Sequence, residues 1–179
     1  MFTKASQMPR PARLPNGLLS RSILACALSL AALLAGALHS KAALAEEAPA
    51  ISRDLRADAR LAAQKRQPIL LFFSLADCPF CARVRREYLG PMSREPEQAA
   101  RALYREIPIE ATLTGFDGTP LAARDLAATL GVKFFPTVVM VDGKGQPLAA
   151  PLVGFSVPDF YGAYLEDRIA TAVQKTNPR

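Results

Sequence analysis

The feature that most constrains the fold of this chain is a fully apolar run, ILLFF at residues 69–73, followed closely by two cysteines. A strand in which every residue is apolar must be covered on both faces, which is typical of the centre of a parallel or mixed sheet. Cys78 and Cys81 come directly after this strand, and Pro79 suits the first position of a helix. The sequence therefore predicts a buried strand that leads two thiols to the start of a helix.

Strand and helix patterns alternate around this unit. Further strands are predicted at residues 104–110, 137–141 and 148–153, the last two joined by a DGKG hairpin turn. Helical periodicity is present before, between and after these strands. The order helix, strand, helix, strand, helix, strand, strand, helix predicts an α/β fold with a central mixed four-stranded sheet and helices on both faces.

Local signals indicate where the helices begin and end. Residues 112–118 are expected to form a polar loop. The expected helix ends are a cap at Ser52, a cap at Thr119 followed by Pro120, a capping box of Ser156 with Asp159, and a stop or kink at Gly90-Pro91.

The first 45 residues have the composition of a secretory leader. Their charges are all basic, and their apolar run, residues 23–38, spans 16 residues, whereas a membrane-spanning helix needs roughly 20. Ala43-Leu44-Ala45 then gives the small-x-small pattern that a signal peptidase accepts. We expect a signal peptide over residues 1–45, a mature domain over residues 46–179, and a periplasmic location. An uncleaved leader that anchors the chain in the membrane and a start at Met8 are the alternatives.

Removal of the leader changes the charge balance. The leader carries five basic and no acidic residues, so Lys plus Arg falls from 22 to 17 against 16 Asp plus Glu. The formal net charge of +6 therefore belongs mainly to the leader. Because no basic patch is interleaved with aromatic residues, the mature domain gives no indication of nucleic-acid binding.

The mature chain keeps two cysteines and no histidine, since Cys26 and His39 leave with the leader. This excludes a Cys-His hydrolase pair within one chain. A disulfide between Cys78 and Cys81 would close a very small ring and would be a poor structural staple. A Cys-x-x-Cys pair is also half of a zinc site, but four ligands are normally required, so no metal site is predicted.

A redox role explains the placement of the two thiols. At the first turn of a helix, unpaired N–H groups and the helix dipole favour a thiolate at Cys78. Cys81 lies one turn deeper and is close enough to attack a mixed disulfide formed on Cys78. We expect Cys78 to be the nucleophile and Cys81 the resolving thiol, with no cofactor besides their redox-active disulfide.

Pro136 interrupts a strand signal at a place where an N–H would be needed, which favours the start of a strand or a special turn. A strand, CPFC opening a helix, a helix ending at Gly131, and Phe135-Pro136-Thr137 entering a hairpin follow one another in this chain. In this order, residues 50–175 resemble the thioredoxin superfamily, and most of all secreted thioredoxin-like proteins of the SoxW kind.

The resemblance implies a thioredoxin fold with a cis-proline at position 136 that lies against the active-site disulfide. It also implies that Phe135, Pro136 and Thr137 form the floor on which a partner polypeptide pairs through backbone bonds. Pro79 and Phe80, between the two cysteines, would contact the same substrate.

Two departures from thioredoxins bear on the thiol chemistry. The buried aspartate of thioredoxins is replaced here by Phe72. Glu106 lies near the place of a lysine on the next strand in thioredoxins, where it could partly replace the missing base or be a solvated strand charge. Asp77 should oppose thiolate formation at Cys78, although solvent exposure would screen this effect.

These observations predict an exported thiol–disulfide oxidoreductase that acts on protein substrates, with a slight preference, by resemblance alone, for the reductase direction. An exported compartment is oxidising, so a membrane redox partner that recycles the dithiol is expected. Arg83, Arg85 and Arg86 either steer acidic partners or form a solvated face.

Two other functions remain open at this point. The domain could be a thioredoxin-fold binding or chaperone module whose cysteines do not turn over. It could also be a Cu(I) carrier that uses the two soft thiolates, with Met92 and Met140 as the only methionines of the mature chain.

Overall fold

The structure is a computed structural model that describes residues 49–178. These residues belong to one unit of the chain, Ala45–Arg179. The predicted signal peptide and its cleavage position lie outside the described residues. No helix within residues 49–178 has both the length and the apolar character needed to cross a membrane.

The first half of the unit contains the predicted central strand and the cysteine helix. Its elements are α1 (Leu55–Lys65), β1 (Ile69–Ser74), α2 (Pro79–Val84), a π-helical turn (Arg85–Leu89), α3 (Gly90–Arg94), α4 (Pro96–Ala99) and β2 (Leu103–Pro108).

The second half completes the sheet and adds a long C-terminal helix. Its elements are β3 (Thr112–Thr114), β4 (Pro120–Ala122), α5 (Ala123–Thr129), β5 (Thr137–Val141), β6 (Leu152–Val153) and α6 (Pro158–Thr176).

Four strands form the central sheet in the order β2-β1-β5-β6. Strand β2 runs parallel to β1, whereas β5 is antiparallel to both β1 and β6. The predicted mixed four-stranded sheet and the α/β class are confirmed. The last strand is shorter than expected, since pairing is regular only at Leu152–Val153, although the N–H of Leu148 still donates to Met140 O at 2.8 Å.

Every residue of β1 is buried, as its composition predicts. Because successive side chains of a strand point to opposite faces, Ile69, Leu71 and Phe73 pack with α1 and α5, while Leu70 and Phe72 pack with α2 and α6. The two core clusters lie on the two faces of the sheet. This burial fixes the end of β1, and with it the starting point of the cysteine loop.

The predicted loop at residues 112–118 is wrong in part, because Thr112–Thr114 pairs with Pro120–Ala122 as a small antiparallel hairpin. Asp117 closes its turn by accepting the N–H of Thr119 at 2.9 Å, and Gly118 has a φ of +92°, a conformation that glycine adopts readily. Thr119 and Pro120 therefore do not begin a helix, and α5 starts only at Ala123.

Two predicted caps are also wrong. Asp54 caps α1 by accepting the N–H of Ala57 at 2.8 Å, while the hydroxyl of Ser52 donates to Asp58 at 2.6 Å. The start of α6 has no side-chain cap, so Ser156 and Asp159 form no capping box. The backbone N–H of Ser52 is bonded to Glu106 O at 3.0 Å, which holds Ser52 beside strand β2 and away from the cap position.

The expected stop at Gly90-Pro91 is wrong, because the backbone stays helical through both residues. The chain widens into the π-helical turn Arg85–Leu89 and continues as α3. A π-helical turn shifts the hydrogen-bond pattern by one residue, which suits a proline that has no N–H to donate.

Candidate active site

Cys78 and Cys81 lie at the carboxyl end of β1 and are joined by a disulfide bond. Residues 75–77 form the short connection from the strand, and Cys78 is the N-cap of α2. Its sulfur accepts the backbone N–H of Cys81 at 3.0 Å, and Pro79 occupies the first turn of the helix. A negative charge on this sulfur would therefore be stabilised by a backbone donor at the helix start.

The two cysteines differ in accessibility. Cys81 is completely buried, whereas Cys78 is partly exposed. An attacking or leaving thiol from another molecule can therefore reach the sulfur of Cys78 more readily than that of Cys81. Pro79 and Phe80 are both exposed beside this opening.

The Phe135–Pro136 segment lies at the entrance to β5, and its peptide bond is cis. Phe135 and Cys78 pack against the same core cluster. Pro136 is buried, and its carbonyl accepts the N–H of Gly154 at 2.7 Å. The segment is thus fixed to β6 by this hydrogen bond, and Phe135 packs against the core cluster that Cys78 also contacts.

The backbone groups of Thr137 and Phe135 differ in whether they are free to form hydrogen bonds with another chain. Thr137 is paired with Phe73 on one side and Val153 on the other, and its hydroxyl donates to Phe134 O at 2.8 Å. Within residues 49–178, by contrast, the N–H and C=O of Phe135 form no backbone hydrogen bond. Phe135 therefore offers the free pairing groups, and Thr137 supports it from within the sheet.

Phe134 was not among the expected substrate contacts, yet its side chain is 67% exposed, more than the 58% of Phe80. Phe134 directly precedes a segment in which Phe135 is half-buried and Pro136 and Thr137 are buried, so its ring is an exposed apolar group next to the cis-proline. The doubled phenylalanine before Pro136 was the available signal, because only one of two adjacent side chains can face the core at a strand entrance.

Glu106 is buried, with 4% of its surface exposed, so the solvated alternative for this residue is wrong. One carboxylate oxygen accepts the hydroxyl of Ser74 at 2.6 Å, and the other accepts Nε of Arg85 at 2.8 Å. A second guanidinium nitrogen of Arg85 completes a bidentate ion pair. The carboxylate is fully engaged by these two partners.

The sequence predicted that Arg85 either steers acidic partners or lies on a solvated face, and it did not predict the ion pair with buried Glu106. The guanidinium of Arg85 also lies over the ring of Phe72, 5.8 Å from the centroid. The hydrogen bond to Glu106 raises the pKa of Arg85 above its ordinary value, against the opposing effect of burial. The available signal was the spacing of Arg85, which follows Cys81 by four residues, or about one helical turn.

The other charged residues near the cysteines are exposed. Asp77 lies in the exposed connection before Cys78. Arg83 pairs with Glu87 at 2.8 Å and lies over the ring of Phe155, and Arg86 pairs with the same Glu87 at 3.2 Å. Exposed pairs of this kind contribute little to stability.

No group of three or more His, Cys, Asp or Glu side chains in residues 49–178 is arranged to hold a metal ion. The groups that the site offers for chemistry and binding are the sulfurs of Cys78 and Cys81, the start of α2, and the free backbone N–H and C=O of Phe135.

The sequence matches one family of known proteins. A sequence-family model described as a thioredoxin-like domain matches residues 55–169. No curated protein matches the chain with significant similarity.

Solved structures with a similar chain path include several thioredoxins. Thioredoxin from Fasciola hepatica is 14% identical, with 68% of this chain and 96% of that chain covered and a TM-score of 0.45. The periplasmic thioredoxin SoxS from Paracoccus pantotrophus is 20% identical, with 59% and 98% covered and a TM-score of 0.42. Thioredoxin f from spinach chloroplast is 14% identical, with 70% and 94% covered and a TM-score of 0.48.

Proposed function

Because the chain belongs to the thioredoxin-like domain family, we propose that it is a thiol–disulfide oxidoreductase that exchanges disulfides with protein substrates through Cys78 and Cys81. The SoxW-like subtype stays a prediction. The observation that carries the proposal is the pairing of an accessible sulfur at a helix start with a buried sulfur one turn further along.

In the reductase direction, the thiolate of Cys78 attacks one sulfur of a substrate disulfide. A mixed disulfide forms, and the other substrate sulfur leaves as a thiolate. The thiolate of Cys81 then attacks the sulfur of Cys78, which releases the second substrate thiolate and forms the Cys78–Cys81 disulfide. Two electrons pass to the substrate, and the reverse sequence oxidises it.

Substrate binding would use the groups around the opening at Cys78. Phe80 and Phe134 are exposed apolar contacts for the substrate, and the unpaired N–H and C=O of Phe135 can form backbone hydrogen bonds with an extended chain. Pro136 and Thr137 would support this segment from below. Asp77 and Glu106 are proposed to modulate the thiols, Asp77 through solvent and Glu106 through its pair with Arg85.

The leader pattern supports an exported, periplasmic domain. The preference for the reductase direction rests on resemblance, and in an oxidising compartment it requires a two-electron dithiol donor in the membrane. The reduction potential of the Cys78–Cys81 couple, measured against glutathione buffers, tests this direction. A potential near that of thioredoxin, about −270 mV, supports the reductase, and one near −120 mV supports an oxidase.

Reduction of insulin disulfides by the domain lacking residues 1–45, in the presence of dithiothreitol, tests the enzymatic proposal. Cys78→Ser is expected to reduce the rate to that of dithiothreitol alone. Reduced Cys81→Ser, incubated with insulin after dithiothreitol has been removed, is expected to accumulate a mixed disulfide that added reducing agent releases. Equal rates for the unmodified domain and Cys78→Ser would leave a binding or chaperone module as the better account. Stoichiometric copper retained after dialysis would favour a Cu(I) carrier.

A further inference from the structure

The resolving thiol of the proposed reaction is completely buried. Cys81 packs in an apolar cluster that also contains Phe72 and Val84. Burial among apolar side chains disfavours a charged sulfur, yet the second attack in disulfide exchange requires the thiolate of Cys81. A positive charge held at this cluster would therefore speed the resolving step.

Arg85 lies on the same helical face as Cys81. The backbone N–H of Arg85 donates to the carbonyl oxygens of Cys81 and Ala82, so the helical path is continuous between the two side chains. Side chains four residues apart on a helix have Cβ atoms roughly 5–6 Å apart, and they lean towards the helix N-terminus. The side chain of Arg85 therefore leans back over the turn that carries Cys81.

The guanidinium of Arg85 reaches the apolar cluster of Cys81. It lies 5.8 Å from the centre of the Phe72 ring, and Phe72 and Cys81 pack in this one cluster. The bidentate pair with Glu106 holds the guanidinium there. Because water screens charges only weakly at buried positions, a cation held here favours a thiolate within the cluster.

Other titratable groups at this cluster add little charge. Among residues 49–178, the titratable side chains that face it are Cys78, Arg85 and Tyr88 from the cysteine-bearing helix and turn, Tyr104 and Glu106 from β2, and Tyr161 from α6. Cys78 has no charge in a mixed disulfide, and the Tyr88 hydroxyl donates to Pro158 O at 3.0 Å. Burial raises the pKa of Tyr104 and Tyr161, so both are neutral where a thiol ionises. The charges that remain are those of Arg85 and Glu106.

Glu106 is occupied by other donors. One of its oxygens accepts the Ser74 hydroxyl at 2.6 Å, and both oxygens accept hydrogen bonds from Arg85. Its carboxylate belongs to strand β2, whereas Arg85 follows Cys81 on one continuous helical path. The negative charge of Glu106 therefore opposes the effect of Arg85 on the Cys81 sulfur only in part.

We propose that Arg85 is a positioning residue for the resolving step, in which its guanidinium, held by Glu106, favours the thiolate of Cys81. The proton of Cys81 goes to solvent and not to Glu106. The thiolate then attacks the sulfur of Cys78, the bond from Cys78 to the substrate sulfur breaks, and the substrate sulfur leaves as a thiolate. Because this step belongs to the proposed disulfide exchange, the role of Arg85 rests on that function.

Rapid mixing of the reduced domain lacking residues 1–45 with one equivalent of an aromatic disulfide, dithiobis(nitrobenzoate), separates the two steps. Attack by Cys78 releases one coloured thionitrobenzoate, and attack by Cys81 on the mixed disulfide releases the second, so absorbance shows two phases. The second phase, followed as a function of pH, reports the ionisation of Cys81.

The two members of the ion pair should act in opposite directions. Near neutral pH, Arg85→Met is expected to slow the second phase about threefold and Glu106→Gln to speed it about threefold. The reason is that an about tenfold change in thiolate population is partly offset by the opposite change in nucleophilicity. The pH midpoint of the second phase should rise in Arg85→Met and fall in Glu106→Gln. A purely structural role of the pair would move both variants in the same direction.

Two further variants serve as controls. Arg85→Lys keeps the cation and should keep the second phase within about twofold of the unmodified domain, even if Arg85→Met does not fold. Arg86→Met removes the next cation along the chain, whose side chain is 65% exposed, and should leave both phases unchanged.

Slowing of the second phase by Glu106→Gln would identify the carboxylate as a base and would overturn the proposal. An unchanged second phase in Arg85→Met, or an equal effect of Arg86→Met, would also overturn it. Release of only one thionitrobenzoate by the unmodified domain is a different result, since it would show that Cys81 does not resolve and would refute the proposed function itself.

Discussion

Glu106 lies directly opposite Phe72 in the parallel register of strands β1 and β2. The resemblance to thioredoxins implies that Phe72 takes the place of their buried aspartate, and β2 places a carboxylate beside Phe72. The carboxylate forms a bidentate pair with Arg85, which in turn covers the ring of Phe72. The carboxylate of Glu106 is thus held in an ion pair by Arg85, which directly follows the cysteine-bearing helix α2.

Among mutations at the carboxyl end of β1, those that break the Arg85–Glu106 ion pair should lower the free energy of unfolding most. Arg85→Met is expected to lower the free energy of unfolding by about 3 kcal/mol, because it leaves a buried carboxylate without its cation. Glu106→Gln should cost less, about 2 kcal/mol, since Arg85 keeps some contact with solvent. Urea unfolding of both variants and of the double variant measures the coupling. Strictly additive losses would contradict a direct pair.

The thiols should differ in reactivity once the disulfide is reduced. Cys78 is partly exposed at the helix start and Cys81 is fully buried, so iodoacetamide should alkylate Cys78 at least about tenfold faster near neutral pH. Peptide mapping by mass spectrometry after timed quenching gives both rates. Equal rates, or faster labelling of Cys81, would contradict the assigned order of attack.

The exposed phenylalanines should matter for protein substrates and not for small ones. Phe134→Ser and Phe80→Ser are each expected to lower kcat/KM for insulin roughly three- to tenfold, because they remove apolar contact area at the opening. Turnover of a small aromatic disulfide should be almost unchanged. Tyr164→Ser provides the control, since Tyr164 is 44% exposed and belongs to α6, outside the segments that carry Phe80 and Phe134. A similar loss in this control would argue against specific contacts.

Stability should fall at high pH through two buried tyrosines. Burial raises the pKa of Tyr104 and Tyr161 above the ordinary value of 10.0. The unfolded chain therefore loses these protons first, so the stabilisation is complete below about pH 10 and is lost as the pH rises above it.

Urea midpoints at about pH 9 and about pH 11 measure this loss. Tyr104→Phe and Tyr161→Phe should each make the decrease smaller. Tyr164→Phe is the control because Tyr164 is 44% exposed, and it should leave the decrease unchanged. A decrease of the same size in all three variants would show that the buried hydroxyls are not its source.

Local patterns were sufficient for the core of the fold. The all-apolar composition of β1 predicted burial on both faces, and the position of Cys78 after it predicted a thiol at a helix start. Pro136 was recognisable because proline cannot donate a backbone hydrogen bond within a strand. The cap at Ser52 was wrong because Asp54 caps α1, while Ser52 is bonded to Asp58 and to strand β2 in the folded chain. At the start of α6 no side chain caps the helix, so the pattern of Ser156 with Asp159 was not a capping box.

The sequence by itself determined the buried central strand, the two sulfurs at a helix start and the proline that precedes β5. Each depends on residue types a few positions apart, whose periodicity and stereochemistry act before any distant contact forms. Only the tertiary structure decided that Arg85 pairs with Glu106 and that Phe135 and not Thr137 keeps its backbone groups free. These depend on which strands become neighbours and in what register, and residues 21 positions apart meet only when the sheet has formed.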